Sequence, residues 1–170
     1  MATYTTPTTV SAGQTLTASI WNASVKEDII FLANPPMASA YRTATSSIAN
    51  DAWSAGIAMT GGEDYDTDGI HAVNSANFVI VTPGKYEITA LAAFAFNATG
   101  ERGILIDKNG ATQYVGTVAR AAPTTLDSRV MHTITLALVA TDVISMQVRQ
   151  SSGGALNLTA ARLQLRWVSQ

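Results

Sequence analysis

An all-β sandwich carrying a short helical arm at its N-terminus is the fold this sequence predicts. Three observations predict it. From residue 37 onward apolar residues recur with a period of two. Turn signals rich in Gly, Pro and Asn interrupt that alternation at intervals. The single stretch with helical periodicity lies before it and stops at Asn34-Pro35-Pro36.

Residues 1–15 are rich in Thr, with one Pro and one Gly, and read as an extended arm that is ordered against a partner. Over residues 16–34 the apolar side chains Leu16, Ile20, Val25, Ile29 and Leu32 recur at steps of three to five, flanked by Trp21. Lys26, Glu27 and Asp28 lie between them, so the segment reads as one amphipathic helix of about four turns. Thr17 is placed to cap its N-terminus. So short a helix is marginal alone. Its apolar stripe is therefore expected to lie on the β domain, on sister helices or on a larger assembly. Leu16, Ile20, Trp21, Val25, Ile29 and Leu32 are the candidate assembly residues. The chain accordingly reads as an anchoring segment, 1–36, and a β head, 37–170.

In the head, Tyr86, Ile88, Ala90, Ala92, Phe94 and Phe96 fall on one face of a strand. Val130, His132, Ile134, Leu136 and Leu138 share one face of another. Ala161, Leu163, Leu165 and Trp167 alternate with Arg162, Gln164 and Arg166 in the last. Asp107-Lys108-Asn109-Gly110 between Ile104–Ile106 and Thr112–Val115 reads as a hairpin. About eight to ten antiparallel strands are expected, with no helix after residue 34 and with the C-terminal strand central to its sheet.

Composition narrows the function. The chain has 170 residues, no Cys and a net charge of −2. A disulfide framework, thiolate metal site or cysteine nucleophile is excluded. Charged residues are 13% of the chain, where ordinary domains hold about 25%. Thr, Ser, Asn, Ala and Gly take their place, which suits surfaces that meet other protein. No basic run marks a nucleic-acid partner. No apolar run reaches the roughly 20 residues needed to span a bilayer, and the first residues lack the pattern of a secretory signal. Synthesis in the cytoplasm is expected.

Chemistry-bearing groups are sparse. Gly62-Glu63-Asp64-Tyr65-Asp66-Thr67-Asp68-Gly69 is the one concentrated carboxylate cluster. Asp64, Asp66, Asp68 and Gly69 match the opening positions of a calcium loop. The twelfth position, where a bidentate Glu belongs, is Ser75. A calcium site at Asp64, Asp66 and Asp68 and a solvated acidic loop are the two readings, and the missing Glu favours the second. His71 and His132 are the only histidines, and neither has a second ligand at metal spacing. His132, on an apolar face, reads as a hydrogen-bonded core residue. There is no Gly-x-Ser-x-Gly elbow, no singled-out carboxylate pair and no phosphate-cradling glycine loop, so no catalytic residue is assigned. Trp167 reads as core, Trp53 as half-buried, and Trp21 as packing the helix onto a neighbour.

Two resemblances add to this reading. Tyr65-Asp-Thr-Asp-Gly69, then Phe78-Val-Ile-Val-Thr-Pro-Gly-Lys-Tyr86 opening a long apolar strand, resembles the complement-globular-head and tumour-necrosis-factor-like jelly rolls. Ala38–Arg42 is similar to the first strand of that family, and Val139–Val148 to a later turn and strand, with Ala140-Thr141 where Gly is usual. This resemblance spans about residues 37–168 and implies a trimer. Residues 4–18, with the adjoining helix, resemble the start of minor structural proteins of tailed bacteriophages. Together they imply a non-enzymatic virion protein, a fibre or capsid-decoration trimer held to capsid or tail proteins by its N-terminal segment. Recognition of a bacterial surface receptor or glycan is the alternative, and a hydrolase the weaker one.

Overall fold

The computed structural model describes residues 11–15, 17–121 and 126–170, with the side chains of residues 23, 24, 112 and 115 left aside. Leu16 and most of the Thr-rich arm therefore lie outside the described residues. The chain divides into two compact units, Met1–Pro36 and Met37–Gln170.

In the first unit Thr17 caps a helical segment, its hydroxyl accepting the Ile20 N–H at 3.3 Å. The segment comprises α1 (Ala18–Trp21), one π-helical turn (Asn22–Lys26) and α2 (Glu27–Ala33). In the π turn the Glu27 N–H reaches back to the Asn22 carbonyl. That wider turn rotates α2 out of phase with Ile20. Phe31, outside the predicted stripe, is the buried side chain of α2, whereas Ile29 and Leu32 are 60% and 65% exposed. The expectation of a single regular α-helix is corrected accordingly.

Among the described residues of the second unit the alternation becomes ten strands: β1 (Met37–Arg42), β2 (Ser46–Ile48), β3 (Gly62–Asp66), β4 (Phe78–Val79), β5 (Gly84–Phe94), β6 (Glu101–Lys108), β7 (Thr112–Arg120), β8 (Ser128–Leu138), β9 (Val143–Gln150) and β10 (Leu156–Ser169). One sheet has the order β3-β1-β10-β5-β8, with β2 also on β10; the other has the order β4-β9-β6-β7. The named strand pairs are antiparallel. This is the predicted jelly-roll sandwich, and its last strand is central. Ile88, Ala90, Leu163 and Leu165 meet Ile104, Ile106, Ile144 and Met146 in the core between the sheets. Burying each large side chain contributes roughly 1.5–3 kcal/mol, as an upper estimate.

Two expected core positions differ. Phe96 lies beyond the end of β5, where the chain has left the sheet, and is 43% exposed. His132 is half-buried, and its Nε2 has no hydrogen-bond partner. Its ring fills the space that a side chain on Gly116 would need, since a Cβ there would lie 2.2 Å from the ring. Packing holds His132 where a hydrogen bond was expected.

Three polar arrangements fix the loops. Arg102 is fully buried. Its guanidinium donates to the carbonyls of Asn97, Thr99 and Glu101 at 2.9–3.1 Å and lies over the Phe94 ring. Burial pulls its pKa below the ordinary range. The loop it gathers also needs Gly100, whose φ is +74° and where a Cβ would fall 1.8 Å from the Ser151 carbonyl oxygen. Tyr86 is buried and donates to the Thr82 carbonyl at 2.6 Å, and burial, with the Asp68 charge, pushes its phenol above the usual range.

The third arrangement welds the β6–β7 hairpin to the β8–β9 turn. Asp142 accepts from Asn109 Nδ2, from the Val139 N–H and from Lys108 Nζ, each at 2.8 Å. The Asn109 side-chain Oδ1 in turn accepts the Val143 N–H at 2.7 Å. Burial raises the Asp142 pKa, but these hydrogen bonds and the Lys108 charge outweigh it and hold the carboxyl below its ordinary 3.8. A depressed folded pKa adds stability that is complete above the unfolded value and fades as pH falls through the folded one.

These contacts set the cost of three substitutions. Gly100→Ala lowers stability by about 3 kcal/mol or more in urea denaturation. Gly110→Ala, also at positive φ (+67°) but facing open space, costs about 1–2 kcal/mol. Asp142→Asn removes the ion pair, costs about 1–3 kcal/mol at neutral pH, and flattens the loss of stability that the native chain shows as pH falls below 3.8; denaturation midpoints from pH 6 down to about pH 2 check this.

Candidate assembly face

The outward face of the six-stranded sheet is built by the residues that alternate with the core. Across β1, β10, β5 and β8 the register sets them in rows. One row is Tyr41, Arg162, Leu91 and Met131; the next is Ser39, Gln164, Thr89 and Thr133; the third is Met37, Arg166, Glu87 and Thr135. Nearly every polar group in these rows is satisfied by another. Arg162 pairs with Asp64 of β3 and lies over the Tyr41 ring. Ser39 donates to Asp64 at 2.7 Å, Arg166 pairs with Glu87 at 3.1 Å, and the hydroxyls of Thr89 and Thr133 are 3.0 Å apart. Gln164 donates to the Tyr65 hydroxyl. These two arginines and two carboxylates cancel at the centre of the face, while Lys85 of β5 and Arg129 of β8, outward and exposed, add positive charge at its margins.

The face ends on β8. Met131, Thr133, Thr135 and Ala137 of this strand point outward and are exposed, Met131 by 56%. The pairing of β8 with β5 runs without a register shift from Ser128 to Leu138. Within those bounds β8 has no Lys, Pro or bulge, and its one charge is Arg129 near the start. A long, regular border strand with apolar and Thr side chains has few of the usual protections against edge association, although the Thr117 hydroxyl of β7 donates to the Met131 carbonyl of this strand.

The acidic segment is partly this same face. Gly62–Asp66 is a strand, so the reading as a solvated loop is corrected. The three carboxylates singled out for calcium go to separate tasks. Asp64 is taken by Arg162 and Ser39. Asp66 accepts the N–H groups of Asp68, Ile70 and His71 at 2.8–3.1 Å, which shapes the turn after β3. Asp68 is buried and accepts the Thr82 N–H at 3.1 Å. Among the described residues, no group of three or more His, Asp and Glu side chains could hold a metal ion.

Neighbouring this turn, His71 pairs with a carboxylate of the acidic segment, a pairing its place in the sequence allowed without naming the partner. His71, its side chain 1% exposed, has Nδ1 2.6 Å from Glu63 Oε1 and Nε2 3.1 Å from the Ser75 carbonyl, with its ring 4.5 Å from that of Phe78. The eight-residue spacing from Glu63 was the available signal, masked by the calcium-like pattern over it. Of the helix candidates, Ile20 and Val25 are half-buried, and Trp21, Ile29 and Leu32 are exposed.

No protein-family model matches the chain, and no characterised protein matches it in sequence. Solved structures do match in fold. The globular domain of zebrafish complement 1qA protein is 14% identical, with a TM-score of 0.61 over 79% of this chain and 98% of that one. PRD1 vertex protein P5 is 16% identical, with a TM-score of 0.59 over 78% and 73%. Eiger TNF from S. frugiperda is 10% identical, with a TM-score of 0.52 over 79% and 95%. The head has the complement-globular-head and tumour-necrosis-factor-like jelly-roll fold. In this jelly roll the sheet carrying that outward face is the one that holds β10, the strand that pairs with three others.

Proposed function

We propose that the chain is a non-enzymatic structural protein of a tailed-bacteriophage virion, a homotrimer of jelly-roll heads held to capsid or tail proteins by residues 1–34. The observation that carries the self-association is the outer face of the six-stranded sheet. Its central charges are paired within the chain, and its border strand β8 is long, regular and only lightly covered. Such a face is stable in water only at a standing risk of pairing, and a closed symmetric assembly removes that risk. The fold likeness to complement 1qA, Eiger TNF and PRD1 vertex protein P5 supports the same reading.

Anchoring is supported by the helical segment. Trp21, Ile29, Ile30 and Leu32 are 49%, 60%, 42% and 65% exposed in the single chain. Four large apolar side chains close together on about three turns suit burial against another protein. Three copies on one trimer would bind a lattice with the gain of multivalency. The histidines have structural tasks, His71 between Glu63 and Ser75 and His132 against Gly116, which supports a protein without catalytic machinery.

Light scattering is expected to give a mass of three times the 17.8 kDa chain. The double substitution Met131→Lys with Thr133→Lys is expected to give a monomer with unchanged β circular dichroism. A native monomer, or a trimer indifferent to both lysines, would refute self-association through this face. Deleting residues 1–34 is expected to leave a folded trimer that no longer enters particles when supplied in trans during phage growth; continued incorporation would refute the anchor.

A further inference from the structure

On the opposite side of the sandwich, the outward face of the four-stranded sheet holds a recess of about 500 Å³. Asp107 of β6 and Ser145 of β9 are direct cross-strand neighbours there, and Gln147 lies beyond Ser145 on the same face. These residues alternate with Ile106, Ile144 and Met146, which point into the core. Asn77 joins them at the rim, while Gly56 and Ala76 form a low wall. A side chain at Gly56 would crowd the site, since a Cβ there would lie 3.2 Å from Ala76 Cβ and 3.6 Å from Ser145 Oγ.

Asp107 is 3% exposed. Its Oδ1 accepts the Gly110 N–H at 2.7 Å, but its buried Oδ2 has no hydrogen-bond partner among the described residues. It is the one buried side-chain oxygen among them in that condition. A buried carboxylate oxygen without a donor is costly, and such a group in a pocket signals a missing partner. The nearby cation does not supply it, because Lys108 pairs with Asp142.

We propose that this recess binds a neutral sugar, with Asp107 Oδ2 accepting a hydroxyl and Ser145, Gln147 and Asn77 completing the hydrogen bonds. The recess falls within the range of about 300–1,000 Å³ typical of small-molecule sites. A hard metal ion needs several oxygens converging at about 2.3–2.6 Å, and this site offers one carboxylate among neutral groups spread around an open hollow. Amide and hydroxyl side chains both donate and accept, as sugar hydroxyls do. The small wall residues leave room for the apolar face of a pyranose ring. An acidic sugar would be repelled by Asp107.

The test is titration of the ¹⁵N-labelled full chain, monitored by amide chemical shifts, with glucose, galactose, mannose, rhamnose and N-acetylglucosamine in turn. Glucuronate and calcium chloride are separate arms. At least one neutral sugar is expected to give saturable shifts at Asp107, Gly110, Ser145 and Gln147. Asp107→Asn and Gln147→Ala are each expected to weaken that binding tenfold or more, and glucuronate and calcium to leave these amides in place. Should Asp107→Asn fail to fold, Gln147→Ala decides. The proposal is overturned by the absence of saturable shifts with all five sugars, by native affinity in Gln147→Ala, or by glucuronate or calcium saturating the same amides. The readout holds whatever mass the protein has in solution, so failure of trimer formation and failure of sugar binding are told apart.

Discussion

Strand β10 is hydrogen-bonded along both edges, to β1 and β2 on one side and β5 on the other. Its fourteen residues alternate between two environments. Leu158, Leu163 and Leu165 are buried in the core, while Arg162, Gln164 and Arg166 face out to Asp64, Tyr65 and Glu87. A slip of one residue would drive both arginines into an apolar core and strip three leucines from it. The desolvation of those charges makes the slip prohibitive. One strand therefore sets the register of β1 and β5, and through β5 that of β8. The core and the outer face are two consequences of the same alternation.

The opposite sheet is secured differently. Buried polar groups hold its connections. Arg102 replaces a counter-ion with three carbonyls and an aromatic face, so it gathers the loop before β6 without an acidic partner in those contacts. Asp142 does the reverse at the far end, collecting Lys108, Asn109 and the Val139 N–H. Each of these side chains is worth keeping buried only while its whole set of partners is present. Asp107 leaves its buried Oδ2 without a partner among the described residues, and Arg102 leaves its buried Nε so while its two terminal nitrogens are engaged.

The alternation in β5, β8 and β10 was legible because it repeats over strands of eleven to fourteen residues, with turn residues at their ends. The hairpin at Asp107–Gly110 was legible because Asn-Gly accepts positive φ at both positions, observed at +60° and +67°. Long-range polar pairing was not. Arg162 meets Asp64 across 98 residues, and nothing local to either position announces the other. The same gap hid the nature of the acidic segment, whose spacing imitates a metal loop while each carboxylate answers to a different element. Phe96 continued the pattern of β5, but the chain leaves the sheet after Phe94, and periodicity carries no information on where pairing stops. The π turn was invisible for a related reason, since one added residue per turn looks like an ordinary irregular step between Ile20 and Val25.

The low charge of the chain takes on a physical meaning once the faces are known. With 13% charged residues, a single domain in water gives up part of its protection against association. Here the charges at the centre of the six-stranded sheet are placed opposite one another, so they hold the register of β10 and cancel there. A surface neutralised in this way cannot rely on long-range attraction to find a partner. It favours contacts that are close, symmetric and permanent, in which shape and Thr, Met and Leu side chains set the fit. The recess on the other sheet has the opposite character, small, polar and organised around one unsatisfied acceptor, which suits reversible contact with a small ligand. The sandwich thus separates two kinds of surface by the thickness of its core, and neither constrains the residues of the other.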